Sequence, residues 1–391
     1  MGLEPILQIV HYSDIHIRTD TAIKSLNRLN KLAPRLLRKW RQGLCGADPF
    51  ALSEFEQFLS GSVRREAAWA SVPLWLVDTG DGTTFGDDAS VQSWWDWSRR
   101  FCYAAGNNTS YFCVYGNHDA WPSTHPLLNR SAMDLHRNDL RSRWFQGTWP
   151  TPPLSSHIPG SSGGQVLLFG ANSVDHGLVA SIRANGWVAP DRHWETPQPM
   201  PGPSAADDVA RKSQSTTAAP SGTNDLRILA MHYPVADAPL GAGRQVFKVL
   251  ANRVQFAKDL QSNRHVTAPI AHMLLGGHTH GPFPGLGELP PAQHGITHAT
   301  LPAGQIQWVT ASLSQAILQG TPRPTTTNYS ELMLSYYPHQ ATVIRLLCDP
   351  TKPEQIVVER AIAGRTEGLP FEYLAIGPST AETWQRTVVD L

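Results

Sequence analysis

Six short apolar runs along the chain each end in a cluster of Gly, Asn, Asp or His residues. The runs are PILQIVHYSD, PLWLVDTGD, YFCVYGNHD, VLLFGANS, LRILAMHYP and HMLLGGHTH. Continuous apolar runs of this length are typical of strands that are buried on both faces. The segments between them are long enough for helices, so the pattern predicts an α/β fold with layered sheets. Polar residues directly after such strands indicate an active site at that edge of the sheet.

Two segments interrupt this pattern. Residues 19–70 contain two helical patterns, which we interpret as a helical, cap-like insertion between the first and second strands. Residues 195–225 are rich in Pro, Ser, Thr, Ala and Gly, which predicts a mobile loop. The last third, with QIQWVTASLSQ, ELMLSYYPHQATVIRLLC and EQIVVERAI, is typical of a run of antiparallel strands. We expect residues 1–391 to form a single domain.

Composition and charge exclude several classes of protein. The chain has 32 Lys and Arg residues against 32 Asp and Glu residues, so its net charge does not favour nucleic acid or an anionic membrane as a partner. The scattered cysteines contain no CxxC pair, which argues against a disulfide framework and a zinc–thiolate site. No apolar run approaches the roughly 20 residues of a membrane span, and the first residues lack the features of a signal peptide. We expect a cytoplasmic protein with no membrane partner; its oligomeric state is left open.

Five stretches carry the candidate chemistry. SDIHI contains Asp14 and His16, DTGDG contains Asp81, GNHD contains Asn117, His118 and Asp119, MHYP contains His232, and GGHTH contains His278 and His280. Since alternate residues of a strand share a face, the two residues of SDIHI are expected to point the same way, as are the two histidines of GGHTH. Any one stretch is also compatible with a structural role. All five in one order, each after a buried-strand pattern, predict a single metal site.

The donor types indicate which metals fit. Imidazole and carboxylate ligands together suit Mn, Fe or Zn better than Ca or Mg. Manganese is therefore one of the metals that we expect the site to accept.

The ordered set D-x-H, G-D, G-N-H-D, H and G-H-x-H resembles the calcineurin-like metallophosphoesterase superfamily. The similarity runs from about Gln8 to Gly281, with 19–70 and 195–225 as insertions. The resemblance implies a four-layer αββα sandwich, with a helical insertion after the first strand. It also implies a dinuclear centre of two divalent transition-metal ions at the edge of the sheets.

The resemblance assigns roles to nine residues of this chain. The first metal would be held by Asp14, His16 and His280, the second by Asn117, His232 and His278, and Asp81 would bridge the two. His118 would not be a ligand but would face the scissile phosphate as a catalytic residue, oriented by Asp119.

These roles imply a hydrolysis without a covalent phosphoenzyme. Two metals about 3.5–4 Å apart can clamp the attacking and leaving oxygens of an in-line displacement, with a bridging hydroxide as the nucleophile. His118 would stabilise the transition state or protonate the leaving alkoxide, and a carboxylate on its other ring nitrogen would fix its tautomer.

The style of the motifs is most similar to class III cyclic-nucleotide phosphodiesterases and related small phosphodiesterases. It implies a phosphodiesterase that acts on a nucleotide-type or other small phosphodiester. A nuclease or a phosphomonoesterase of the same superfamily is an alternative. A catalytically silent protein-binding scaffold is an alternative of another class, which would usually show a damaged ligand set; here every expected ligand is present.

Two further features have competing interpretations. The insertion has seven basic residues and no acidic residue between Thr21 and Ala47: Lys24, Arg28, Lys31, Arg35, Arg38, Lys39 and Arg41. They form either a solvated helix face or a basic cap that attracts an oligonucleotide. The tryptophans Trp94, Trp95 and Trp97 are spaced for packing on a helix, which we prefer to a role in stacking bases.

Overall fold

A computed structural model of the chain describes residues 2–19, 46–84, 86–119, 154–171, 173, 224–235, 271–278, 306–310, 312–314, 339–365, 368–374 and 383–391. In chain order the elements are β1 (Glu4–Tyr12), α1 (Pro49–Phe58), a π-helical turn (Leu59–Val63), β2 (Leu74–Asp78), α2 (Asp88–Ala105), β3 (Thr109–Cys113), β4 (Leu154–His157), β5 (Gln165–Gly170), β6 (Leu226–Ala230), β7 (Met273–Gly276), β8 (Ile306–Val309), β9 (His339–Cys348), β10 (Gln355–Arg365), β11 (Glu372–Tyr373) and β12 (Gln385–Asp390).

The first sheet contains seven of the described strands. Their order is β11-β10-β9-β1-β2-β3, and β12 also pairs with β10. The trio β1, β2 and β3 is parallel, whereas β9 to β12 extend the sheet with antiparallel pairs. The carboxyl ends of the three parallel strands therefore lie side by side.

The second sheet contains five of the described strands in the order β4-β5-β6-β7-β8. Strands β5 to β8 are parallel, and β4 pairs antiparallel with β5. Both sheets thus have parallel strands whose carboxyl ends gather at one edge, the usual position of a ligand site in such folds.

The two sheets pack face to face over an apolar core. Side chains of this core include Ile9, Val77 and Phe112 from the first sheet and Leu168, Ile228 and Met273 from the second. On its other face, the first sheet is covered by α1 and α2, where the Tyr12 ring lies 5.7 Å from Phe55 and 5.8 Å from Phe101 between centroids. The described residues thus form three layers, helix–sheet–sheet. The mixed α/β class with two sheets is confirmed, and the expected fourth layer falls outside them.

The two helices start at aspartate caps. Asp48 accepts a hydrogen bond from the Phe50 N–H at 2.9 Å, and a proline occupies the first helical position of α1. Asp87 accepts from the Ser90 N–H at 3.0 Å at the start of α2, and Gly106 ends that helix at φ 101°. Among the described residues, neither helix combines the length and apolar character that a membrane span requires.

The six apolar runs all form strands, namely β1, β2, β3, β5, β6 and β7. One expectation for the last third was wrong: β8 pairs parallel with β7, whereas β9 and β10 are antiparallel as expected. The alternation of apolar residues reports burial but not strand direction. Parallel pairing depends on a crossover connection, which the 29 residues at 277–305 are long enough to provide.

The insertion is described only in part. Its second helical pattern forms α1 and the π-helical turn, and Phe55 and Phe58 of α1 are buried in the core over the first sheet. The basic stretch at 20–45 and the predicted loop at 195–223 lie outside the described residues.

Candidate metal centre

The polar residues of the five motifs lie together beyond the carboxyl ends of β1, β2, β3, β6 and β7. All the described ones are buried, with exposures of 0% for Asp14, His16, Asp81 and His232, 1% for Asp119, 3% for Asn117, 6% for His278 and 7% for His118. Burying this many ionisable groups costs free energy unless charges compensate one another or a cation is bound. His280 lies outside the described residues.

Their donor atoms form two groups that share one carboxylate. Asp14, His16 and Asp81 make up one group, and Asp81, His232 and His278 make up the other; within each group the donor atoms lie within 4.8 Å of one another. The division agrees with the sequence-based assignment of two metals bridged by Asp81. Mixed imidazole and carboxylate donors at this spacing suit divalent transition metals, so the residues fit the group that the motifs imply.

The second group converges on the Nε2 atom of His232. This atom lies 3.3 Å from Asp81 Oδ2, 3.2 Å from Asn117 Oδ1 and 3.1 Å from His278 Nδ1. The other ring nitrogen, Nδ1, lies 2.8 Å from the carbonyl oxygen of Thr79, which fixes the ring so that Nε2 faces the other donors.

The charges of this pair respond to each other. Burial, the largest single influence, lowers the pKa of His232, but the charge and hydrogen bond of Asp81, the charge of Asp14 and the Thr79 carbonyl together outweigh it and raise the pKa to about 9. Burial raises the pKa of Asp81, but the charges of His232 and His118 outweigh it and hold that pKa below its ordinary value. The two shifts show that positive charge beside Asp81 stabilises its ionised form, which is the form that binds a cation.

The backbone at the site is unusual. The four non-glycine residues with positive φ among the described residues are Asp14 at 55°, His16 at 59°, Asp81 at 54° and His278 at 67°. Such conformations cost about 1–3 kcal/mol each and persist where the surrounding structure enforces them. All four are proposed ligands.

The expectation that Asp14 and His16 meet by strand alternation was therefore wrong in its reason. β1 ends at Tyr12, and both residues belong to a left-handed turn after it. Their side chains still meet, with His16 Nε2 3.9 Å from Asp14 Oδ1. His278 likewise follows the end of β7. The turns, rather than the pleat, aim these side chains.

The loop after β2 organises the neighbouring loops through its carbonyl oxygens. The Gly80 oxygen accepts the Asp14 N–H at 2.8 Å, and the Asp81 oxygen accepts the His16 N–H at 2.9 Å. The Thr79 oxygen faces His232, as described above. Three proposed ligands thus depend on the path of this one loop.

His118 is oriented differently from the expected arrangement. Its Nδ1 atom lies 2.9 Å from the carbonyl oxygen of Thr84, and its ring packs edge-on against His16 at 4.8 Å between centroids. The His118 backbone N–H donates to Asp81 Oδ1 at 2.8 Å. The residue therefore lies beside both donor groups, and its position next to the reacting phosphate stays a prediction.

Asp119 does not orient His118 through its carboxylate, which corrects the sequence-based assignment. Its oxygens accept hydrogen bonds from the backbone N–H groups of Gly82, Thr83 and Gly116 and from the Thr83 hydroxyl, at 2.8–3.3 Å. Burial and the nearby charge of Asp81 raise the pKa of Asp119 to about 6, although these donors oppose the rise. Both carboxylate oxygens of Asp119 accept hydrogen bonds that join two loops. Asp119 therefore stabilises the loops of the site and does not orient the His118 ring.

Sequence analysis missed three residues that support the site. The hydroxyl groups of Ser312 and Ser314 donate to the carbonyl oxygens of Asp14 and Ile15 at 2.7 and 2.8 Å. Asp78 lies fully buried at the end of β2. Local pattern offered no signal for the serines, because they lie about 300 positions from the loop that they hold. Asp78 ends an apolar run in the sequence, but a polar residue at that place is also typical of an ordinary strand end.

The tryptophans of α2 pack rather than face solvent. Trp94 and Trp97 are 2% and 3% exposed, and the Trp97 ring stacks on Phe101 at 4.9 Å between centroids. The packing interpretation is confirmed for these two side chains.

Comparison with known proteins places the geometry in context. The model of the family described as calcineurin-like phosphoesterase matches residues 7–282. A solved structure described as "Termus thermophilus Sulfate thiohydrolase SoxB in complex with glycerol" is similar at 10% sequence identity and a TM-score of 0.34, with 100% of this chain and 57% of that chain covered. The chain thus spans a little over half the length of that protein. No curated protein sequence matches the chain significantly.

Proposed function

This chain belongs to the calcineurin-like phosphoesterase family, and we propose that it is a two-metal phosphodiesterase. The observation that carries the proposal is the sharing of Asp81 between two groups of buried donors. A carboxylate that belongs to both groups could be shared by two cations, as a two-metal site for phosphoester hydrolysis would need. The proposed ligands are Asp14, His16 and His280 for one metal and Asn117, His232 and His278 for the other.

When bound, two divalent ions polarise the phosphoryl oxygens and make water nucleophilic at neutral pH. The chain itself supplies the geometry. The Thr84 carbonyl accepts the Nδ1 proton of His118, which fixes the tautomer and the orientation of the ring, and we assign the contact with the substrate to the Nε2 atom. From there it stabilises charge on the phosphoryl group or delivers a proton to the leaving oxygen. Asp119 acts indirectly, by joining the loops that carry His118 and Asp81.

Phosphodiesters are proposed as the substrate class because the motif style is similar to that of class III cyclic-nucleotide phosphodiesterases. An alkoxide leaving group of high pKa needs a proton donor, and His118 lies beside both donor groups, where it could fill that role. The proposal extends to nucleotide-type diesters as the physiological class.

The test compares Mn²⁺-supported hydrolysis of bis(p-nitrophenyl) phosphate with that of p-nitrophenyl phosphate. His118→Asn should lower diester turnover by roughly 100- to 10,000-fold, the range for loss of a general acid. A matched control is His272→Asn, because His272 is also a buried histidine but accepts a hydrogen bond from the Arg227 N–H at the opposite end of β7. This control should keep its activity.

The other outcomes separate the alternatives. Preference for the monoester would contradict the diester proposal and favour a phosphatase. Metal binding without hydrolysis of either ester would contradict the assignment of both substrate classes, phosphodiesters and phosphomonoesters. A protein that binds no transition metal would contradict the enzymatic proposal and favour the scaffold.

A further inference from the structure

Asp78 is a buried carboxylate that the proposed reaction does not use. It ends β2, three residues before Asp81, and its exposure is 0%. Its backbone is held in the sheet on both sides, opposite Tyr12 of β1 and Cys113 of β3. The two neighbouring strands therefore fix the position of the Asp78 backbone. The loop that follows carries Asp81, the ligand shared by the two donor groups.

Three donors converge on the carboxylate of Asp78. Oδ1 accepts the Gly80 backbone N–H at 3.0 Å. Oδ2 accepts the Trp94 indole N–H at 3.0 Å and the Tyr111 hydroxyl at 3.2 Å. Burial raises the pKa of Asp78 well above its ordinary value, and these donors oppose the rise. Burying a carboxylate is costly compared with an apolar side chain of similar volume, so its hydrogen bonds indicate a geometric role.

The Gly80 peptide is the link between Asp78 and the metal site. Gly80 has a φ of 99°, which a side chain rarely adopts, and a Cβ there would lie 2.4 Å from the Gly116 nitrogen. Its N–H is held by Asp78, and its carbonyl oxygen accepts the Asp14 N–H. The next residue is Asp81. Gly80 thus connects Asp78, through the two peptide groups on either side of it, to a proposed ligand of the first group and to the shared ligand.

We propose that Asp78 is a positioning residue for the metal pair, which fixes the Gly80 turn and thereby places Asp14 and Asp81. Trp94 and Tyr111 fix Asp78 in turn, so that α2 and β3 support the geometry of the loop. The inference rests on the proposed function only in that the site binds metal ions; it does not depend on the substrate.

The test is a calorimetric titration of chelator-treated protein with MnCl₂. Asp78→Asn places an amide NH₂ where the carboxylate accepted hydrogen bonds, so it cannot satisfy the Gly80, Trp94 and Tyr111 donors together. Because groups that orient metal ligands typically contribute 10- to 100-fold to metal affinity, the Mn²⁺ affinity should fall by about that factor. Tyr111→Phe removes one donor of three and should cause a smaller loss, of roughly a few-fold.

Ile356→Ala is the control for a general loss of stability. Ile356 is buried between the sheets, and it pairs with Cys348 at the end of β9 that is remote from the site. The substitution should lower the midpoint of thermal unfolding, because it leaves a cavity in the core, and should leave Mn²⁺ affinity unchanged. Wild-type affinity in a folded Asp78→Asn protein, or an equal loss of affinity in Ile356→Ala, would overturn the proposal. If Asp78→Asn does not fold, Tyr111→Phe decides in the same way: unchanged affinity overturns it.

The two proposals fail separately. Tight Mn²⁺ binding by wild type without ester hydrolysis would contradict the proposed function but leave the role of Asp78 open to this titration. Normal ester hydrolysis by wild type, together with full metal affinity in Asp78→Asn, would contradict the role of Asp78 but leave the proposed function standing.

Discussion

Replacing Gly116 by alanine tests whether the position of the Asp81 carboxylate controls the site. Gly116 immediately precedes the proposed ligand Asn117, and a Cβ there would lie 2.0 Å from Asp81 Oδ1 and 2.3 Å from the Asp81 backbone nitrogen. Real Cβ contacts essentially never fall below 3.0 Å, so one of the two loops must move by about 1 Å. Gly116 is not among the positive-φ glycines, so the effect would be steric.

The size of the effect follows from this displacement. A misplacement of about 1 Å at a catalytic site can lower turnover by about 100-fold. Overpacking of this kind typically costs about 1–3 kcal/mol of stability. Since Asp81 belongs to both donor groups, we expect Gly116→Ala to weaken the binding of both metals together, by about 10- to 100-fold.

The assay measures Mn²⁺ stoichiometry and affinity by calorimetry, diester turnover and thermal unfolding for the same samples. Gly61→Ala is the matched control, because a Cβ at Gly61, in the π-helical turn, meets no atom within 4 Å. It should leave all three measurements near wild type. The expected loss of turnover is scaled from the displacement of about 1 Å. A Gly116→Ala protein that bound two metals with full affinity and kept its turnover within about twofold of wild type would refute the reasoning.

Three further predictions use simpler perturbations. Asp81→Asn should reduce the content of both metals in plasma mass spectrometry, whereas His118→Asn should keep the metals and lose turnover; equal metal loss in both variants would contradict the division of roles. Asp48 is partly buried, which raises its pKa, but hydrogen bonds from Arg365 and Phe50 hold that pKa below 3.8. A depressed folded pKa contributes stability above the unfolded pKa that is lost as the pH falls through the folded value. Asp48→Asn, which keeps the cap, should therefore cost up to about 1 kcal/mol at pH 7, and the difference should shrink as the pH falls below the ordinary pKa of an aspartate in denaturant titrations; a constant difference would contradict the ion pair. If the basic stretch at 20–45 forms a cap that attracts an oligonucleotide, the KM for that substrate should rise steeply with salt concentration. A KM that does not change with salt would contradict the cap.

The strands and the identity of the site residues were accessible from the sequence. Each buried strand of a parallel sheet is a continuous apolar run, and the pattern reports such burial directly. All six runs formed strands, and the residues after five of them met at one edge. Of the predicted ligands, six lie together in the structure, and the seventh, His280, lies outside the described residues.

The direction of β8 and the role of Asp119 were not accessible in the same way. Strand direction depends on a connection of many residues rather than on the strand itself. The partner of a carboxylate depends on which backbone N–H groups the folded chain brings within about 3 Å of it. For Asp119 these are amides of its own loop and of residues 82–83, whereas the family resemblance implied that the partner is the His118 ring.

By itself, the sequence determined which residue types follow each strand, and therefore which donors a metal could find at this edge. Only the tertiary structure decided how they are aimed. The Asp14 carboxylate is held by the His278 N–H from 264 positions away, and the His232 ring by the Thr79 carbonyl from 153 positions away. Contacts at such separations hold four proposed ligands at positive φ, a conformation that Asp and His adopt more readily than most residues but that still costs free energy. Local patterns report periodicity and burial, whereas a strained site exists only because the whole fold holds it.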